Sequence, residues 1–225
     1  EKIARSSPVP VLVLREHSPL LAGLHSDPTQ PLRVLVPLDG STAAKTAIEP
    51  AAHLITALTS HGQGALHLTR IVEPIEGDRR IMRYQLSLDD LVQQAKHSLQ
   101  NTLNNVRDGF EAPSVALLGL DMSCSVAPDS DVAQAIIRIA EHGEDAESAG
   151  SSGGYDVIAM ATHGRTGLDH LALGSITERV LHATKLPILI VRISHKAVQH
   201  TTDEEHQTEA EKIPLLARYE TSKVK

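Results

Sequence analysis

Aromatic side chains are almost missing from this chain: 225 residues hold three Tyr, one Phe and no Trp, 2 % in all. Val, Ile, Leu and Ala must therefore fill the core. The stacking platforms on which many single-strand nucleic-acid binders rely are also excluded. Positive charge is in short supply, with 21 Lys and Arg against 28 Asp and Glu and a formal net charge of −7. That balance argues against a nucleic-acid partner held by a basic surface. A single cysteine, Cys124, rules out an intrachain disulfide framework and fits a reducing cytoplasm. No apolar run reaches the roughly 18 residues of a membrane-spanning helix, so no membrane partner is expected. The opening Glu1-Lys2-Ile3-Ala4-Arg5 does not read as a secretory signal and lacks an initiator Met, so the expectation is a chain that begins inside a longer reading frame. What remains is ordinary for a globular protein, with 41 % hydrophobic and 22 % charged residues. Its length allows one large domain, or one domain with extra pieces.

An internal repeat is present. Residues 1–15 read EKIARSSPVPVLVLR, and residues 178–192 read ERVLHATKLPILIVR. Identities fall at Glu1/Glu178, Pro10/Pro187, Leu12/Leu189 and Arg15/Arg192, without a gap. Each copy reads as a helix end, a proline-bearing turn and a buried strand. The expectation is that residues 1–16 are the last helix end and closing strand of a preceding domain of the same type. Val9–Leu14 is then expected to lie antiparallel beside Pro187–Val191, covering an edge that would otherwise stay open. Residues 17–30, with three Pro in the stretch up to Pro31, read as a linker.

From Pro31 to Ile193 apolar runs alternate with helical patterns. Residues 33–38 read as a buried strand. Asp39-Gly40-Ser41 forms a turn, with Ser41 as N-cap of a helix over 42–58 that Pro50 should kink or interrupt. Strands follow at 65–72, 115–126, 155–161 and 186–193, and helices at 83–106, 132–141 and 176–182. Residues 143–154, acidic and of low complexity, read as a flexible insertion, and 194–225 as a polar tail. This order predicts an α/β fold: a five-stranded parallel sheet sandwiched by helices, with right-handed crossovers. Ligands bind such sheets at the carboxyl ends of the strands.

Asp39 follows the first strand, where its carboxylate would accept hydrogen bonds from a ribose or from backbone amides; taken alone, a plain strand-to-helix turn with Gly40 for backbone freedom and Ser41 as cap is the favoured reading. After the fourth strand come Ala161-Thr162-His163-Gly164, nine residues, then Gly174-Ser175. Ser175-Ile176-Thr177-Glu178 fits a capping box at a helix start. Glycines allow close backbone approach to an anion, and helix-start amides carry partial positive charge. The two turns therefore read either as a phosphate cradle or as an ordinary capped surface loop.

The segment DVIAMATHGRTGLDHLALGSITERVLHATKLPILIVR closely resembles the last third of universal stress protein domains, and VLVPLDGST resembles their opening strand and turn. The family's nucleotide pattern is G-x2-G-x9-G-[ST]. Here Ala161 stands in place of the first glycine, with Gly164, Gly174 and Ser175 in register. The resemblance covers about 31–193 and implies a Rossmann-like, adenine nucleotide alpha hydrolase-like fold. It also implies a cytoplasmic module that binds ATP, AMP or ADP, with a divalent ion such as Mg²⁺ bridging the phosphates. Carried over by position, Pro37 and Asp39 line the adenine and ribose side, and Ile71 meets the adenine through its backbone. Gly164, Arg165, Gly174, Ser175 and Ile176 hold the phosphates. Leu38, Ser41, Met160 and Ala161 complete the implied set. Family dimers often pair through their last strands, so the implied partner is a second such domain, in tandem or as a homodimer, joining Leu186–Ile193 to Val9–Leu14.

Other signals carry little. Ser152-Gly153-Gly154-Tyr155-Asp156 looks like part of a pyrophosphate loop but precedes a strand instead of following one. There is no G-x4-G-K-[ST]. The thirteen His form neither H-E-x-x-H nor a zinc-spaced cluster. No general base or nucleophile stands out, so catalysis is the weakest reading.

Overall fold

The computed structural model describes residues 7–15, 31–59, 64–74, 87–143, 153–162 and 174–192. Their elements run β1 (Val11–Val13), β2 (Leu32–Pro37), α1 (Thr42–Lys45), α2 (Ile48–Leu58), β3 (Gly64–Val72), α3 (Leu88–Arg107), α4 (Pro113–Ala116), β4 (Asp121–Pro128), α5 (Val132–His142), β5 (Val157–Ala161), α6 (Ser175–Ala183) and β6 (Ile188–Val191). The expected linker, the acidic insertion and the polar tail lie largely or wholly outside the described residues.

The sheet has six strands in the order β1-β6-β5-β2-β3-β4. The five from β2 to β6 are mutually parallel. The sixth, β1, runs antiparallel beside β6, as the repeat leads one to expect, so the sheet exceeds the expected five by this one edge strand. Strand order reverses beside β2, between β3 and β5, and this is the switch point where ligands bind in open α/β sheets.

Strands β5 and β6 are apolar throughout, and β2 is nearly so, because helices cover both sides. On one face Leu35, Ile158, Ile188 and Ile190 pack with Ile136 and Ile139 of α5 and Val180 and Leu181 of α6. On the other, Val34, Val36, Leu66 and Leu68 alternate out of phase with them. They are fully buried, as is Ile55 of α2, and both α2 and α3 lie against the β2–β3 part of the sheet or its neighbour β4. Each such aliphatic side chain contributes about 1.5–3 kcal/mol through burial. A polar inclusion sits between β3 and the edge strand β4. The buried His67 bonds Ser123 Oγ through Nδ1 at 2.8 Å and Ser125 Oγ through Nε2 at 2.9 Å.

The interruption expected in the helix over 42–58 is present: it is two helices, parted at Thr46 and Ala47. Pro50 has no amide hydrogen to donate to the carbonyl of Thr46, so the break falls one turn ahead of it. The strand expected at 115–126 starts only at Asp121. Pro113, at the first position of α4, and Gly119, at φ 64°, carry the intervening apolar residues through a short helix and a turn. The long amphipathic helix starts later than residue 83, at Leu88. Its Ser87–Asp90 capping box fixes that start.

Candidate functional site

The carboxyl ends of β2, β3 and β5 open into a cleft of ≈ 870 Å³, within the usual range for small-molecule sites. Pro37, Leu38 and Asp39 enter it from β2, Ile71 from β3, and Met160 and Ala161 from β5. Gly174, Ser175 and Ile176 enter it from the start of α6. Nine of the twelve residues expected from sequence therefore share one wall system. Gly164 and Arg165 lie outside the described residues.

Ser41 is the exception among those described. It does not line the cleft, and it holds Asp39 instead. Its amide and its hydroxyl both donate to Asp39 Oδ1, at 2.8 and 2.6 Å. The same hydroxyl accepts the amide of Ala44 at 3.1 Å, which caps α1. Asp39 is thus locked in a turn. Between them Gly40 adopts φ 88°, a conformation that costs any other residue strain. The Arg70 guanidinium lies over Gly40: a β-carbon there would stand 2.9 to 3.2 Å from Nη1, Cζ and Nη2. Near-equal distances to three guanidinium atoms mean that Gly40 meets the face of the group. Arg70 is the single cationic side chain lining the cleft among the described residues.

On the opposite side, β5 hands over to α6. Thr162 N–H donates to the Val191 carbonyl at 2.9 Å, and Gly174 N–H donates back to the Thr162 carbonyl. The chain therefore leaves at Thr162 and returns at Gly174 to the same point. The buried Thr177 hydroxyl donates to the Ala161 carbonyl at 3.0 Å. The expected capping box at Ser175 is not formed. Gly174 is the N-cap and makes no side-chain cap bond, and Ser175 is the first helical residue. Its amide and those of Ile176 and Thr177 are therefore first-turn amides without an intrahelical acceptor, and all three residues line the cleft. Such amides hold anions. Arg179 Nη2 donates to Asp131 Oδ2 at 2.6 Å, which ties α6 to the N-cap of α5. The Arg179 guanidinium, then the Gln134 amide, holds the Asp131 carboxyl below its ordinary range.

Ala161 keeps the extended backbone of a strand residue paired with Val191, where an alanine sits without strain. Sequence reasoning missed the side of the cleft formed by Arg70, Glu73, Leu91, Gln94, Ala95 and Ser98. Arg70 and Glu73 were within reach of the strand-end rule, since they flank Ile71. The α3 residues carried only an amphipathic pattern, which does not say what a helix faces. Among the described residues no group of three or more His, Cys, Asp or Glu could hold a metal ion, and no helix is long and apolar enough to cross a membrane.

The family model for the universal stress protein family matches residues 32–192. Universal stress protein MJ0577 of Methanocaldococcus jannaschii is 27 % identical over 130 residues, 57 % of this chain and 62 % of that protein's length. Among solved structures, universal stress protein UspA from Lactobacillus plantarum aligns with 20 % identity over 72 % of this chain and 99 % of its own, with a TM-score of 0.51. A universal stress protein solved in complex with cAMP aligns with 17 % identity over 72 % of this chain and 98 % of its own, with a TM-score of 0.47. The likeness to UspA concerns the fold alone. Because the family model spans most of the chain, from β2 to the end of β6, this chain belongs to the universal stress protein family.

Proposed function

We propose that the cleft binds an adenine nucleotide, ATP or its relatives AMP and ADP, and that the protein acts as a cytoplasmic nucleotide-responsive module in stress response or signalling. The observation that carries the reading is the convergence of Pro37, Asp39, Ile71 and the Gly174–Ile176 turn, residues far apart in sequence, on one cleft at the sheet's switch point. In this reading the backbone of Ile71 meets the adenine, and Pro37 and Asp39 flank the ribose. The first-turn amides of α6, with Gly164 and Arg165, take the phosphates. Magnesium, where present, is held by the nucleotide's own phosphate oxygens. Titration calorimetry with ATP and Mg²⁺ tests the proposal: saturable heat supports it, and no heat at high protein concentration rejects it.

Ala161, in place of the first glycine of the pattern, favours a second reading, an interaction module that takes no nucleotide. Gain of ATP binding by an Ala161→Gly variant of a non-binding parent would support it. An ATP-hydrolysing enzyme is the remaining alternative; ATP turnover that is lost on changing Ser175 would revive it.

In domain terms, residues 31–193 form one universal stress protein domain, 17–30 a linker, and 194–225 a tail. Residues 1–16 are the closing strand of a twin. Its partner is a second domain of the same kind, in tandem or as a homodimer, through Leu186–Ile193 and Val9–Leu14.

A further inference from the structure

The polar inclusion between β3 and β4 is a cluster of titratable and nucleophilic side chains apart from the cleft. Its members, His67, Ser123, Ser125 and Thr69, do not line that cleft. Cys124 Sγ donates to Gln100 Oε1 of α3 at 3.4 Å. Side chains alternate along a strand, so Ser123 and Ser125 point to the other face of β4. There Ser123 is exposed and Ser125 half-buried. The ladder sets His67 opposite Ser123 and Thr69 opposite Ser125, which brings the imidazole between the two serine hydroxyls.

An aliphatic side chain at position 67 would need no polar partners. The imidazole needs two, and both come from one strand. A neutral imidazole accepts through one nitrogen and donates through the other. With the hydrogen on Nε2, Nδ1 accepts from the Ser123 hydroxyl and Nε2–H donates to Ser125. Ser125 Oγ in turn lies 3.3 Å from Oγ1 of the fully buried Thr69. The Tyr155 ring packs on the imidazole from the side, with centroids 5.4 Å apart and planes tilted by 43°. The order is that of an activated nucleophile: a hydroxyl, a base within hydrogen-bond reach, and a third group that orients the base. The chain of hydroxyls runs from buried Thr69 outward, and its open end is Ser123.

We propose that Ser123 is an activated serine and a site of covalent acylation, with His67 as its base and Ser125 positioning the imidazole. The donor class is an activated acyl ester or thioester. Ser123 Oγ attacks the acyl carbon while His67 Nδ1 takes the hydroxyl proton. The bond from the acyl carbon to the leaving oxygen or sulfur breaks, and Nδ1 returns the proton to that leaving group. An acyl ester on Ser123 and a free alcohol or thiol result. The proposal is independent of the nucleotide reading, because the cluster contributes no side chain to the described walls of the cleft.

The test treats the full 225-residue chain with p-nitrophenyl acetate. The expected result is a burst of one nitrophenolate per chain, with the acetyl group placed on Ser123 by peptide mass spectrometry. Ser123→Ala should abolish the burst with unchanged far-UV circular dichroism. His67→Gln should slow it by about a hundredfold or more. Ser125→Ala should slow it less, and Ser125→Thr, which keeps the hydroxyl, should restore the parent rate. A folded His67→Gln chain that is acetylated as fast as the parent overturns the proposal, as does a Ser125→Ala chain with the parent rate. If His67→Gln does not fold, the parent alone decides. Acetylation of Ser123 ahead of every other serine supports the proposal, and acetyl groups spread over the exposed serines or placed on Cys124 overturn it.

Discussion

Asp156 is a half-buried carboxylate at the foot of β5, held against Arg33. Its Oδ2 accepts the Arg33 amide at 2.7 Å, and Asp156 N–H donates to the Arg33 carbonyl at 2.8 Å. The Arg33 guanidinium lies 4.7 Å above the Tyr155 ring. Burial raises the Asp156 pKa above 3.8, partly offset by the Arg33 amide and charge. The folded chain therefore keeps this proton to higher pH than the unfolded chain does. This group lowers stability above its folded pKa, and that cost fades as pH falls toward 3.8. Asp156→Asn keeps an oxygen for the Arg33 amide and removes the charge. Denaturant melts near neutral pH and at about pH 5 should show equal or higher stability and a flatter pH dependence. Asp156→Ala leaves the amide unpaired and should cost about 1–3 kcal/mol. At the cleft, Ala161→Gly should cost about 0.5–1 kcal/mol in stability, because glycine loses more backbone freedom in a strand. Since Ala161 is already extended, its effect on ATP affinity should stay below about tenfold, measured by calorimetry.

At the scale of elements, a buried side-chain bond ties the first turn of α6 to the end of β5. Thr177→Val removes the donor to the Ala161 carbonyl while keeping the shape. It should lower stability by about 0.5–1.5 kcal/mol in thermal melts and weaken nucleotide binding through a looser α6 start. The elements that sequence made legible share a physical cause. β2, β5 and β6 are covered on both faces, so they read as apolar runs broken only at Arg33, and the strand-end rule then located most of the cleft. β4 was read too early because it is an edge strand. It carries Ser123 and Ser125, the partners of His67, where a central strand would carry Val or Ile. The apolar residues before it belong to α4 and its turn. The gap at Thr46 follows from the missing amide of Pro50, and the pattern of 42–58 shows the proline but not which side the helix breaks on. The α3 wall of the cleft stayed illegible because facing is decided by packing between elements, and amphipathic spacing records only that a helix has a buried side.

For the whole molecule, the sheet's two ends are unlike. β4 ends one side, and among the described residues no strand pairs beyond it. The other side is closed by β1, a segment joined to β2 through residues 14–31 and so present at a fixed, high effective concentration. An intramolecular strand stabilises the fold equally at every protein concentration. A strand supplied by a second copy stabilises by mass action, up to about 1.4 kcal/mol for each tenfold rise once binding is half saturated. Thermal melts across a hundredfold dilution series should therefore separate the two states. The parent chain is expected to melt at one temperature throughout. A Leu12→Pro chain, which loses an amide from β1, should melt lower when dilute and climb with concentration toward the parent, because pairing restores the covered β6 edge. Parallel concentration dependence in both chains would mean that β1 does not close the edge. Flat melts in both would mean that no second copy enters it.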